Sequence, residues 1–136
     1  MITKSYLALV GAIYLYLAIW CSLDPTTTSK AVGFELIGPS GQGEFLTVYG
    51  GLEFGLALVF LMPLLDPPSL RFSIASCTLV HGSLVAFRTI SFLIYAAPER
   101  MTYQLAIGEW IIFLTSLGLW LSTRSRVSSK VAPLPE

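Results

Sequence analysis

Charged side chains are scarce in this sequence of 136 residues. Aspartate, glutamate, lysine and arginine make up 12% of it, against roughly 25% in a soluble domain. The eight basic and eight acidic residues balance, and the basic ones form no cluster of the kind that binds nucleic acid. These shortages exclude an ordinary soluble domain and a nucleic-acid partner.

Several cofactor-binding patterns are also missing from the sequence. The single histidine excludes a bis-histidine haem within one chain, and no Glu-x-x-His motif is present for a di-iron bundle. The glycine-rich run at residues 38–43 lacks the spacing of a dinucleotide or phosphate loop. Cys21 and Cys77 fall at different depths, which predicts that they form no disulfide. We expect no metal and no cofactor, and the sequence assigns no catalytic residue.

Apolar residues make up 54% of the chain and are arranged in long blocks. A membrane-spanning helix needs about 20 apolar residues. Four blocks approach or exceed that length, at residues 6–23, 45–65, 72–97 and 103–122. The sequence therefore predicts an all-α integral membrane four-helix bundle in residues 1–123. A basic tail follows in residues 124–136.

The one long connection, residues 22–44, joins the first two spans. Asp24 followed by Pro25 predicts a helix start, because aspartate caps helices and proline suits the first helical position. Residues 30–37 then form either a short helix in the membrane interface or an irregular loop. The glycine-rich run at 38–43 is expected to end this segment.

The basic residues that flank the spans predict the orientation, because short cytoplasmic segments carry an excess of lysine and arginine. One side of the membrane receives Lys4, Arg71, Arg124, Arg126 and Lys130, and the other receives Lys30 and Arg100. This bias places both termini in the cytoplasm.

Four ionisable residues lie well inside the predicted spans: Glu53, His81, Arg88 and Glu109. A charged side chain at the centre of a membrane helix costs at least about 2.5–3.5 kcal/mol, so each needs a partner or a polar cavity. A rise of about 1.5 Å per residue places the two glutamates and Arg88 at a similar depth, with His81 nearer the midplane. Tyr49 lies one turn from Glu53. These five residues are the predicted polar cluster, in which Arg88 contacts at least one of the two carboxylates.

The charges of this cluster do not balance, because two carboxylates face one guanidinium. Either one carboxyl is protonated or His81 carries the balancing charge. Such a site could bind a ligand or move a proton, and it could equally be a static ion-paired core. Gly50, Gly51 and Gly55 on the second span predict a helix-packing face, with a ligand-lined groove as the alternative.

The segment YGGLEFG at residues 49–55, the four-span plan and the polar third span carry a resemblance. Together they resemble a bacterial family catalogued only as a domain of unknown function, which is similar in plan to the DoxX-like group of small membrane proteins. The resemblance implies a four-helix bundle in the bacterial inner membrane. It implies no activity.

Three functions are compatible with these features. The first is binding of a small amphiphile or membrane lipid at the cluster of Glu53, Arg88 and Glu109. The second is a role as an accessory or structural subunit, in a homo-oligomer or a larger membrane complex. The third is a small membrane enzyme or proton-coupled carrier that uses His81 and Glu53.

The orientation can be tested with reporter fusions at Lys130 and within residues 22–44. We expect a cytoplasmic reporter to be active at Lys130 and a periplasmic reporter to be active in the connection, because of the basic bias. Activity of a periplasm-only reporter at Lys130 would reverse the assignment.

Overall fold

A computed structural model describes residues 1–95 and 100–128 of the chain. This part is all-α and contains no β-strand. Its elements in order are α1 (Ile2–Leu23), α2 (Pro25–Ala31), α3 (Gly38–Phe45), a π-helical segment (Leu46–Leu52), α4 (Glu53–Leu65), a 3-10 turn (Pro67–Ser69), α5 (Leu70–Ile94) and α6 (Arg100–Ser128). The segments from α3 to α4 form one continuous helix.

Four helical stretches are long and apolar enough to cross a membrane: Ile2–Leu23, Gly38–Leu65, Pro67–Ile94 and Arg100–Thr123. The protein is therefore a multi-pass membrane protein built as an all-helical bundle, which confirms the fold class. The predicted third span extended to residue 97, but residues 96–99 lie outside the described part. The last helix continues to Ser128 and so includes the start of the predicted tail, whereas residues 129–136 are not described.

Two forms were expected for residues 30–37 in the connection between the first two spans, an interfacial helix or an irregular loop, and the structure has a loop at residues 34–37. Asp24 caps α2 as expected, and its Oδ1 accepts a hydrogen bond of 3.1 Å from the Thr27 N–H. The helix ends at Ala31, and Gly33 follows with φ +82, so residues 34–37 form a loop rather than an interfacial helix. The glycine-rich run at 38–43 is helical, because Pro39 starts the second span early.

The spans associate mainly as two pairs, α1 with the second span and α5 with α6. α1 contacts the second span closely at Gly11, where an added Cβ would lie 2.6 Å from Leu61 Cγ. The main apolar core includes Leu7, Phe60 and Ile74, which are all fully buried. It lies toward the end of the bundle opposite residues 24–37, which we call the connection end. Cys21 and Cys77 are both buried and form no disulfide within the described residues, as predicted.

A proline inside the second span connects it to the third span. Pro63 has no N–H, so the carbonyl of Val59 one turn earlier loses its helical donor. The hydroxyl of Ser73 on α5 donates to this carbonyl over 2.7 Å, and Ser73 is fully buried. The bond satisfies a backbone group that hydrocarbon could not satisfy.

We expect Ser73→Ala to destabilise the protein by about 1 kcal/mol, because it leaves the Val59 carbonyl unpaired. In a Pro63→Ala background the loss should shrink, since the new N–H at position 63 can bond this carbonyl. The measurement is the unfolding free energy of all four combinations in one detergent. Ser83→Ala is the control, because Ser83 donates to Leu79 of its own helix on an exposed face. Equal losses in both backgrounds would contradict the account.

Candidate functional site

The third and fourth spans are joined by an ion pair between Arg88 and Glu109. The Arg88 Nε lies 3.1 Å from Glu109 Oε2, and Nη2 lies 2.6 Å from Oε1. This bidentate arrangement is the strongest geometry for an arginine–carboxylate pair. The side chains are 27% and 14% exposed. The predicted contact of Arg88 with one of the two carboxylates is confirmed, and its partner is Glu109.

Glu53, the second carboxylate of the predicted cluster, does not share in this ion pair. It is half-buried at the start of α4, and its backbone N–H donates to the Gly50 carbonyl. Its Oε2 atom is the one buried side-chain oxygen or nitrogen without a hydrogen-bond partner in the part of the chain that the structure describes. A buried polar atom without a partner costs free energy, so this atom is the anomaly of the site.

The groups around Glu53 are aromatic hydroxyls and a thiol. Tyr14, Tyr49 and Cys21 all lie within electrostatic range of its carboxyl. Tyr49 is also within electrostatic range of Arg88. The five predicted cluster residues are thus split: Arg88 and Glu109 pair, Glu53 and Tyr49 lie beside them, and His81 belongs to a separate network.

His81 is 1% exposed and is held from two sides in the core. Its Nδ1 lies 2.9 Å from the Cys77 carbonyl, which only accepts, so Nδ1 carries a proton. Its Nε2 lies 3.1 Å from the Tyr14 hydroxyl, which donates when the ring is neutral. No carboxylate is hydrogen-bonded to the ring among the described residues, so a charge on His81 would be unpaired. This geometry favours a structural role for His81 and does not balance the charge of Glu53.

A π-helical segment that the sequence does not predict leads into Glu53. Leu46–Leu52 is wound more loosely than an α-helix, which turns the following residues relative to α3. Within it Tyr49 stacks on Phe45 with ring centroids 4.5 Å apart, and Phe34 packs on it at 5.8 Å. Such segments occur frequently at functional sites. The one local signal for the π-helical segment in the sequence is the pair of adjacent glycines at 50 and 51, and this signal is weak.

An apolar groove of about 450 Å³ runs between α1 and the π-helical segment. It is lined by Ala18, Ile19, Ser22, Leu23, Leu46, Gly50, Gly51 and Phe54. Gly50 forms the tight point of its floor, because an added Cβ there would lie 2.5 Å from Ser22 Oγ. Gly51, by contrast, has open space on its side of the helix, with no described atom within 4 Å.

The three glycines of the predicted packing face therefore have different surroundings. Gly50 faces α1, whereas a Cβ added at Gly51 or Gly55 would meet no described atom within 4 Å. Close helix contacts within the chain occur instead at Gly11 and at Gly82, where an added Cβ would lie 3.0 Å from the Phe113 ring. Packing of Gly51 and Gly55 against another chain stays a prediction.

Two tyrosines of α1 were missed as structural residues. Tyr14 bonds His81, and the Tyr6 hydroxyl donates to the Ile112 carbonyl of α6 over 2.8 Å. A signal for the buried side of α1 was present in the sequence: positions 7, 11, 14, 18 and 21 repeat with alternating spacings of four and three, and all five are buried. Tyr14 is the polar member of this series.

The residues that the structure describes hold no group of three or more histidine, cysteine, aspartate or glutamate side chains placed to bind a metal ion. Comparison with family models, with curated proteins and with solved structures gives no match for this chain. The resemblance to a family of unknown function, similar in plan to the DoxX-like group, therefore stays a prediction, and the function must be argued from the site.

The pairing of Arg88 can be tested with a double-mutant cycle. We expect Arg88→Leu to destabilise the protein by about 3 kcal/mol, because Glu109 is left as an unpaired carboxylate. Adding Glu109→Gln should recover part of this loss, whereas adding Glu53→Gln should be additive. The measurement is the unfolding free energy of the single and double mutants in one detergent. Coupling of Arg88 to Glu53 instead of Glu109 would contradict the pairing.

Proposed function

We propose that this membrane protein binds a small amphiphile or lipid, with the apolar chain in the groove and the polar head at Glu53. The observation that carries the proposal is a buried oxygen of Glu53 without a partner, on the helix whose residues Gly50, Gly51 and Phe54 line the groove. The groove volume of about 450 Å³ falls within the range of roughly 300–1,000 Å³ that is typical of ligand sites.

The groove suits an apolar chain because nearly all of its lining is aliphatic or aromatic. Its one side-chain hydroxyl, on Ser22, donates to the Ala18 carbonyl over 2.7 Å and so is already engaged. Several lining residues, including Ile19 and Phe54, are also exposed on the outer surface of the bundle. A lipid chain can therefore enter sideways from the bilayer without crossing a polar barrier.

The head of such a molecule would contact Glu53. It lies between Gly51 and Phe54 in the sequence, and both of these line the groove. Its carboxyl is also within electrostatic range of Cys21, the neighbour of groove-lining Ser22. A ligand donor at Oε2 would satisfy the one buried side-chain oxygen left unpaired among residues 1–95 and 100–128.

We also propose where the protein lies in the cell. The basic bias of the flanking segments supports cytoplasmic termini, and the resemblance described above supports the bacterial inner membrane. In that orientation the groove opens into the outer leaflet, next to the connection of residues 24–37. A lipid of that leaflet, or an amphiphile dissolved in it, is then the partner.

A second candidate function is that of a subunit in a homo-oligomer or a larger membrane complex. It is supported by Gly51 and Gly55, which offer an open small-residue face within the described chain. The fourth span also has the smallest buried share of the four and packs mainly on α5. A helix of another chain could cover the face of Gly51 and Gly55 or the exposed side of the fourth span.

The groove can be tested with dodecanol that carries a photoreactive diazirine at the end of its chain. In lipid nanodiscs we expect light to attach this probe mainly to groove residues away from Glu53, such as Leu23 and Leu46. Gly51→Leu should reduce this labelling roughly tenfold, because the new side chain fills open space inside the groove. The readout is peptide mapping by mass spectrometry.

Gly55→Leu is the matched control for this experiment. It makes the same substitution one turn further along, also into open space, at a position that does not line the groove. Labelling of the groove should therefore persist in it. Equal loss in both variants, or labelling spread evenly over lipid-facing positions such as Ile107 and Leu114, would contradict binding in the groove.

A further inference from the structure

We infer that the head group held by Glu53 is a protonated amine with N–H donors, so that the ligand class is an alkylammonium amphiphile. This inference rests on the proposed function, because it names the ligand of the same site. It depends on the charge around Glu53, on the hydrogen bond that its carboxyl lacks, and on the chemistry of the groove.

The charge of the site favours a cationic head group. Arg88 is held by both oxygens of Glu109, so the one cation in the predicted cluster is already neutralised. The one ion pair among the described residues joins Arg88 to Glu109, and the buried Oε2 of Glu53 has no hydrogen-bond partner there. An ionised Glu53 therefore leaves the site with one uncompensated negative charge. In a medium of low dielectric constant such a charge strongly favours a cationic partner.

The missing hydrogen bond favours a head group with N–H donors. The buried Oε2 atom lacks a donor, and the one side-chain hydroxyl of the groove is already engaged, because Ser22 donates to the Ala18 carbonyl. A primary ammonium supplies both a positive charge and N–H groups. A quaternary ammonium supplies the charge without a donor, and an alcohol supplies a donor without the charge. Charge-assisted hydrogen bonds are about twice as strong as neutral ones.

The chemistry of the groove leaves the choice of head group to other residues. The groove discriminates little between head groups, because its one side-chain hydroxyl, on Ser22, is engaged within α1. Head-group selection therefore falls to Glu53 and its neighbours.

The test uses competition against the diazirine probe with three molecules that share one chain: dodecylammonium, dodecyltrimethylammonium and dodecanol. The full chain is placed in nanodiscs of neutral phosphatidylcholine at neutral pH. We expect dodecylammonium to displace the probe at a concentration roughly tenfold lower than either of the others. Glu53→Gln should abolish this preference, because it keeps a polar head of similar shape and removes the charge.

Glu44→Gln is the matched control, since it removes one exposed carboxylate from the same continuous helix. The preference for dodecylammonium should survive in it. Equal displacement by all three molecules would overturn the amine inference and leave binding in the groove intact. Equal displacement by the two cations would overturn the requirement for N–H donors. Failure of all three, with labelling insensitive to Gly51→Leu, would instead refute the proposed function.

Discussion

The hydrocarbon core of a membrane offers no hydrogen bonds, so polar groups within these spans must find their partners inside the protein. Three features of the fold follow from this constraint. The Val59 carbonyl freed by Pro63 takes the Ser73 hydroxyl, and Arg88 takes Glu109. His81 is fixed between a backbone carbonyl and the Tyr14 hydroxyl. The Ser73 bond and the Arg88 ion pair each join two spans, and His81 on α5 bonds Tyr14 on α1. The need to satisfy polar groups therefore also determines how the helices pack.

Glu53 is the exception to this rule, and the exception has a definite place. It lies where a π-helical segment meets α4, next in sequence to Phe54, which lines an apolar groove toward the connection end of the bundle. The main apolar core lies toward the other end. The bundle is therefore packed at one end and carries an unsatisfied carboxyl and a lateral opening at the other. This division supports a reading in which one end provides stability and the other binds a ligand.

Much of this arrangement could be predicted from the sequence, for identifiable reasons. Membrane insertion depends on length and hydropathy, so four spans were predicted, and helical rise placed Arg88 and Glu109 at one depth. The start of the second span was predicted too late, because Pro39 begins the helix before the apolar residues do. Depth could not decide which carboxylate Arg88 takes, since that depends on how the spans are arranged around one another. The contact of His81 with Tyr14 was hidden for the same reason.

The account depends on Glu53 and the groove acting as one site, and a structure determined in a lipid bilayer tests this most directly. We expect continuous density for an apolar chain between α1 and the π-helical segment, ending in a polar head within hydrogen-bonding distance of Glu53 Oε2. A groove filled by side chains, or a Glu53 carboxyl bonded to Arg88, would contradict the account.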